Sequence, residues 1–411
     1  MSQAPFISVV IPTRNRGHLV PNAIRSVLWQ DFDDFELIVS DNCSADDTAQ
    51  AIHDTGAERV RYVRPDRVLS MPDHWEFALD HARGQFITYL CDDDVWVPGA
   101  LRRVVDLLNH SRADLVVSYS GIYNAPNWLD TAQQNTLVLA PFSSNVLEFD
   151  SVATIQRIYS ECRVLGDLPR MLNSFTRRET LQRVRTEAGR VFLLCPDYSF
   201  AAMILTATPG WLYVDEPLHL QGVFPEGIGS TQQFNRGEPS LEFAREFKED
   251  KPLKHVPLKS LLVSNLISDT LLLSKERLPA LEGYQLNWVN YFRSCWNDIL
   301  TLERNGVNTA GGKAEFERVL ATQPADVQQA VEGERNAPQE TAPAERRSGM
   351  KAVARTLINS SPLLSKLESR VRRKPDEPNG NGRYRSIPGN EAGFANILEC
   401  ARVVPRLIGN D

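Results

Sequence analysis

The sequence predicts an α/β fold, a mainly parallel sheet with helices on both faces, followed by a helical appendix and a flexible tail. Three observations carry that expectation. Short, nearly continuous apolar runs alternate with helix-patterned segments through the first 120 residues, as strands buried on both faces require. The carboxyl end of each apolar run carries polar residues, where ligands of such sheets bind. Farther along, the spacing of apolar residues becomes helical and then gives way to a Pro-, Glu-, Gln- and Ala-rich stretch.

In order, Phe6 to Ile11 reads as a strand, His18 to Gln30 as a helix, Phe35 to Ser40 as a strand, Asp46 to His53 as a helix and Val60 to Val63 as a strand. Helix Asp73 to Ala82, strand Gln85 to Leu90, helix Pro98 to His110 and strand Asp114 to Tyr119 continue the alternation. The following hundred residues are mixed, with helices expected at Ser151 to Glu161 and Asp197 to Thr206 and a strand at Trp211 to Val214. The expected organisation is a main domain over 1–237 (halves 1–120 and 121–237), a helical appendix over 238–322, a flexible linker over 323–349 and a basic amphipathic, partly disordered tail over 350–411.

The 411-residue chain has a formal net charge of −7, which argues against nucleic acid as a partner. Its six cysteines have no CxxC spacing, so neither a zinc site nor a disulfide framework is expected, and a reducing compartment fits. The N-terminus lacks a secretory pattern and no apolar run approaches the ~20 residues of a membrane span, so a cytoplasmic location is expected. Within 350–374, Val353, Leu357, Ile358, Leu363, Leu364, Leu367 and Val371 are interleaved with Lys351, Arg355, Lys366, Arg370, Arg372, Arg373 and Lys374. That pattern suits a helix lying on the inner face of a membrane and equally a solvated helix broken at Ser360-Ser361-Pro362.

The strand Gln85 to Leu90 runs into three consecutive acids, Asp92-Asp93-Asp94. Hard oxygen ligands in a row suit Mg2+ or Mn2+ carrying a diphosphate. The same acids also read as a solvated turn in which Asp94 caps the helix opening near Pro98. The other strand ends supply Thr13, Arg14 and Asn15, then Asp41 and Asn42, then Arg64 to Arg67.

Together, Ile7-Ser-Val-Val-Ile-Pro-Thr-Arg-Asn-Arg16, Phe35-Glu-Leu-Ile-Val-Ser-Asp-Asn-Cys-Ser-Ala-Asp46-Asp47-Thr48 and Thr88-Tyr-Leu-Cys-Asp-Asp-Asp-Val-Trp96 resemble family 2 glycosyltransferases of the Rossmann-like GT-A fold, over roughly the first 120 residues. The resemblance implies an inverting enzyme that moves a sugar from a nucleoside-diphosphate donor to a glycan or glycolipid acceptor, with a divalent metal bridging the diphosphate. It assigns Pro12, Thr13 and Arg14 to the loop framing the nucleoside and Asp41 to the base. Asp93 is the expected metal ligand, and Asp92 lies nearer the ribose or second coordination shell. Two positions depart from the family pattern: Asn42 stands where a second acid is common, and Cys91 stands two places before the metal-binding Asp.

Further candidates come from the same reading. Arg67 or Arg64 offers a cation to donor phosphate or is simply solvated. Asp197 is the candidate general base for the acceptor hydroxyl and also reads as the N-cap of a helix starting at Tyr198. His219 reads as a further metal ligand or as a structural histidine, and the glycine-rich stretch Gly222 to Thr231 as a lid or an ordinary turn. Trp75 and Trp96 read as core or wall residues. Two alternatives to sugar transfer are a scaffold for a membrane-associated glycan synthesis complex and a sugar nucleotidyltransferase. The latter is disfavoured because the loop Ile11 to Gly17 holds one glycine.

Overall fold

β1 (Ile7–Thr13) is buried along its whole length, with Ile7, Val9 and Ile11 in one apolar layer and Val10 in the other. That two-sided burial follows from its unbroken apolar run and places it centrally. The computed structural model describes residues 4–56, 58–227, 252–336 and 384–409. β2 (Phe35–Asp41), β3 (Val60–Val63) and β4 (Phe86–Tyr89) flank β1 in the order β3-β2-β1-β4, all parallel. α1 (Val20–Leu28) and α4 (Ala100–His110) cover one face, and Trp75, Ala78 and Leu79 of α3 (Met71–Asp80) cover the other.

The remainder of the sheet is mixed. β5 (Val95–Trp96), β6 (Leu115–Asn124), β7 (Thr136–Leu139), β8 (Val146–Asp150), β9 (Ser174–Arg177) and β10 (Gly210–Val223) complete this part. β9 enters between β4 and β6 antiparallel to both, so the expected mainly parallel arrangement holds within β3-β2-β1-β4 and again between β6 and β10, and is interrupted between them. Four residues carry too little pattern to announce β9 in the sequence. Its register is set by ladder bonds on both sides and by Arg177, whose Nε donates to Asp114 Oδ1 at 2.6 Å. β10 is far longer than the expected Trp211 to Val214. It continues past Pro217 through two register shifts, as a proline within a strand demands, and this irregularity carries His219 and Gly222 to the mouth of the sheet.

α5 (Ser151–Glu161), α6 (Arg178–Ala188) and α7 (Pro196–Ile204) pack on the second layer. Helices Val263–Arg277, Trp288–Arg304 and Ala310–Leu320 lie in the stretch expected to be helical. Their Leu271, Tyr291 and Phe292 share one apolar cluster with Tyr89, Tyr159 and Phe192, so the appendix and the sheet have a common core. Cys195 N–H donates to Thr270 Oγ1 at 3.1 Å, tying the start of α7 to the first of these helices.

Two expectations about the C-terminal region need correction. Residues 325–336, expected within a flexible linker, form a helix. Arg335 at its end lies 3.9 Å from the centroid of the Trp296 ring and pairs with Glu317, interactions that composition does not reveal. Residues 384–409, expected within a basic tail, are ordered. β11 (Arg385–Pro388) pairs antiparallel with β7. The final helix, Ile397–Leu407, buries Ile397, Cys400, Ala401 and Val404, a helical i, i+3, i+4, i+7 stripe. The basic stretch 350–374, the segment 238–251 and the end of the expected lid at 228–231 lie outside the described residues. No helix among the described residues is long and apolar enough to cross a membrane.

Phe394 is 4% exposed and joins the C-terminal segment to Tyr123 of β6. Phe394→Ala is expected to cost about 3–5 kcal/mol of stability, measured by urea unfolding. A loss below about 1 kcal/mol would refute the packing of this segment as a core element.

Candidate functional site

The loops after β1 and β2 are built as one unit. Asn15 and Cys43 both adopt left-handed backbone conformations, φ 53° and 56°, which are uncommon for residues with a side chain and cluster at functional sites. Asn15 N–H donates to Ser44 Oγ at 2.8 Å, and its own Oδ1 accepts from Ala45 N–H at 2.8 Å. The two turns therefore brace each other beside Pro12, which is buried in β1, and Arg14, which is partly exposed just after it.

Asp41 is fully buried at the end of β2. Its Oδ2 accepts from Tyr62 Oη at 2.6 Å and Arg64 at 3.2 Å, and its Oδ1 accepts from Ser44 N–H at 2.9 Å. A buried carboxylate requires donors of this kind. Asn42 is used differently: its Nδ2 donates to the Leu69 carbonyl at 2.8 Å and its Oδ1 accepts from Leu69 N–H at 2.9 Å. Only an amide can donate and accept in this way, which explains why a second acid is absent there. Arg67 is exposed and lines a cavity of about 300 Å3 with Arg64, Pro65, Asp66, Leu69 and Phe77.

The acidic turn after β4 is held from four directions. Thr13 Oγ1 donates to Asp92 Oδ2 at 2.7 Å. Arg16 donates to Asp93 Oδ2 at 3.0 Å and lies 3.7 Å from Asp92 Oδ1. His219 Nε2 lies 3.0 Å from Asp94 Oδ2, with its Nδ1 2.7 Å from Ser120 Oγ of β6. Gly222 N–H donates to Asp94 Oδ1 at 2.9 Å. A Cβ at Gly222 would come within 2.0 Å of the Asp93 carbonyl oxygen, so only glycine lets β10 approach this closely. The capping alternative for Asp94 fails: Gly99 is the N-cap of α4, and Asp94 is committed to β10. Trp75 and Trp96 are both buried in apolar layers.

Electrostatics follow from this crowding. Burial, reinforced by Asp94 and Asp92, pushes the Asp93 carboxyl well above its ordinary value, against the pull of Arg16. Burial also raises Asp92, with Arg16 and the Thr13 hydroxyl opposing it. For Arg16, burial disfavours the charge, yet Asp92 and Asp93 outweigh it and hold the guanidinium above its usual range.

The residues present fit a hard divalent ion at Asp93 and Asp94, whose carboxylate oxygens lie, with Cys91 Sγ, within 4.8 Å of one another. Two carboxylates suit Mg2+ or Mn2+. Burial and the three acids push the Cys91 thiol strongly up, so it stays protonated and is a poor ligand. The expected grouping of Asp92, Asp93 and His219 is not the one gathered. Asp92 turns to Thr13, both ring nitrogens of His219 are engaged, and Asp94 stands beside Asp93 instead.

Asp197 lies in the first turn of α7, which begins at Pro196 with Cys195 as N-cap, so Asp197 does not cap the helix. Its Oδ1 is buried without a hydrogen-bond partner. Burial raises its pKa, Arg170 opposes the shift, and Asp94 adds to it. Arg170 Nε is likewise buried and unbonded. Tyr198 Oη fixes the loop carrying Arg170 by accepting from Leu165 N–H at 2.9 Å. Sequence reasoning missed Arg16, Tyr62 and Arg170 as site residues, and from the acidic run it singled out Asp93 and Asp92 rather than Asp94. Arg16 lies inside the first motif, but its direction depends on the left-handed turn at Asn15, which no periodicity reports.

Part of the chain is similar to known glycosyltransferases. The family model described as Glycosyl transferase family 2 matches residues 8–166. The GalNAc(5)-diNAcBac-PP-undecaprenol beta-1,3-glucosyltransferase of Campylobacter jejuni subsp. jejuni serotype O:2 is 38% identical over 112 residues, 26% of this chain and 36% of that protein. The UDP-Glc:alpha-D-GlcNAc-diphosphoundecaprenol beta-1,3-glucosyltransferase WfgD of Escherichia coli is 28% identical over 103 residues, 25% of this chain and 41% of that protein. The chain thus spans well under half the length of these relatives. The crystal structure of S. aureus TarS 1-349 in complex with UDP-GlcNAc aligns with a TM-score of 0.45 at 15% identity, covering 80% of this chain and 91% of that one. Residues 8–166, which form much of the mixed α/β sheet, thus match glycosyl transferase family 2.

Proposed function

We propose that the chain is an inverting glycosyltransferase that moves a sugar from a nucleoside-diphosphate donor, UDP foremost, to a hydroxyl of a lipid-linked glycan in bacterial surface-polysaccharide synthesis. The observation that carries this reading is the convergence of strand-end chemistry on one acidic turn, with Asp197, whose Oδ1 is buried without a hydrogen-bond partner, in electrostatic reach of it. The names of the two bacterial relatives, both glucosyltransferases of diphosphoundecaprenol-linked sugars, support the acceptor class. Action at the inner face of the cell membrane, with the stretch 350–374 as a contact, belongs to the same proposal.

In this mechanism Pro12, Thr13, Arg14 and Asp41 frame the nucleoside, with Asp41 held in place by Tyr62 and Arg64. Asn42 shapes the same wall by fixing Leu69, Arg67 lies at its rim, and Asp92 is assigned to the ribose side. Asp93 and Asp94 would hold Mg2+ or Mn2+, which supplies positive charge to the leaving diphosphate. We assign His219 to orienting Asp94, as residues behind metal ligands commonly do. Asp197 takes the proton of the acceptor hydroxyl as its oxygen bonds to the anomeric carbon and the C–O bond to the diphosphate breaks, the electron pair leaving on the diphosphate.

Calorimetry and thermal shift with UDP, GDP, dTDP and CDP, each with Mn2+, Mg2+ or EDTA, test the donor site. One nucleotide should bind wild type only with metal and should not bind Asp93→Ala. Metal-independent binding that survives Asp93→Ala would overturn the assignment.

Asp197→Asn should lower kcat by about 10²- to 10⁴-fold with donor affinity retained. The base works deprotonated, so the rate should fall as pH drops through the raised Asp197 pKa. Because Arg170 lowers that pKa, Arg170→Gln should move the acidic limb to higher pH. A pH profile unchanged by either variant would remove Asp197 from the base role.

A further inference from the structure

Arg16 is the one cation within 4 Å of Asp92 and Asp93 among the described residues. Its backbone is fixed at both ends: its N–H donates to Thr48 Oγ1 at 2.9 Å, and its carbonyl accepts from the Leu19 and Val20 amides at the start of α1. Its side chain, 15% exposed, forks. One terminal nitrogen donates to Asp93 Oδ2 at 3.0 Å, and the other donates to the Glu226 carbonyl at 3.2 Å, just beyond β10. Glu226 is itself held by His18, at 2.9 Å. Asp94 has separate partners in His219 and Gly222, so Arg16 serves Asp92 and Asp93.

We propose that Arg16 and the divalent metal are alternative counter-ions of Asp93, and that the guanidinium displaced by the metal becomes a ligand of the donor diphosphate. The inference rests on the donor site described above. Arg16 bonds the same carboxylate that is assigned to the metal, and two cations cannot share Asp93 at full strength. A guanidinium released from one anion beside an arriving diphosphate has the planar fork that phosphate oxygens accept bidentately. The flexible stem permits the exchange while the pinned backbone keeps the charge at the site. Arg16 is thus a donor-binding residue that makes metal and diphosphate binding cooperative.

The test uses the full-length protein, Mn2+ alone, whichever of UDP, GDP, dTDP and CDP the wild type binds, and the matching nucleoside. By calorimetry, Arg16→Met should bind Mn2+ alone about tenfold more tightly and the diphosphate with Mn2+ about tenfold more weakly, the usual scale of coupling between sites. Nucleoside affinity, read by ligand-observed NMR, should be unchanged, because the guanidinium does not serve the base. Arg16→Lys keeps the charge but loses the fork, so Mn2+ affinity should stay near wild type while diphosphate affinity falls severalfold; this variant carries the test if Arg16→Met does not fold. Unchanged diphosphate affinity in a folded variant overturns the inference, as does an equal loss of nucleoside binding. If the wild type binds no nucleotide with metal, the donor-site reading falls and takes this one with it. Wild-type binding with indifferent variants removes Arg16 alone.

Discussion

Three adjacent carboxylates must be kept together at the end of a buried strand, and the surroundings of the site answer that demand. The oxygens of Asp93 and Asp94 lie within 4.8 Å, where two unit charges repel by on the order of 3 kcal/mol at an effective dielectric of about 20. The fold divides the load by element. β1 sends Thr13 and the following loop sends Arg16, whereas β10 sends His219 and the Gly222 amide. Each interaction needs its element at a fixed register, which is why the long, irregular β10 and the left-handed turn at Asn15 are necessary features.

The first 120 residues were legible because most of their strands are buried on both faces and therefore read as unbroken apolar runs. β1 to β4, α1, α3 and α4 fall within a few residues of their expected places. Residues 121–237 were less so. β9 depends on pairing partners rather than on its own four residues, and β10 reads as two short pieces around Pro217. The final helix carried a clear apolar stripe but stood beyond a polar, basic stretch whose composition masked it. The helix 325–336 is fastened by Arg335 over Trp296, a contact between distant residues that no local window contains.

The site divides along the same line. Residue types marked Thr13, Asp41, Asp92 and Asp93 as candidates because acids and hydroxyls at strand ends stand where ligands bind, and the family resemblance added Asp197. Partnership was hidden. Asn42 looks like a weakened acid in the sequence, and in the structure it is an amide chosen to grip both backbone groups of Leu69. His219 looks like a metal ligand, yet its ring bridges Asp94 and Ser120. Which of three consecutive acids faces which neighbour is a question of side-chain direction, and direction is set by tertiary contacts.

The C-terminal residues 384–409 also close an edge of the sheet. β11 pairs antiparallel with β7, and Phe394 sets its ring edge against Tyr123 of the neighbouring β6. An uncovered β7 would present a row of unpaired backbone groups to any other strand. Residues from the far end of the sequence therefore guard a strand laid down near its middle against pairing with another chain.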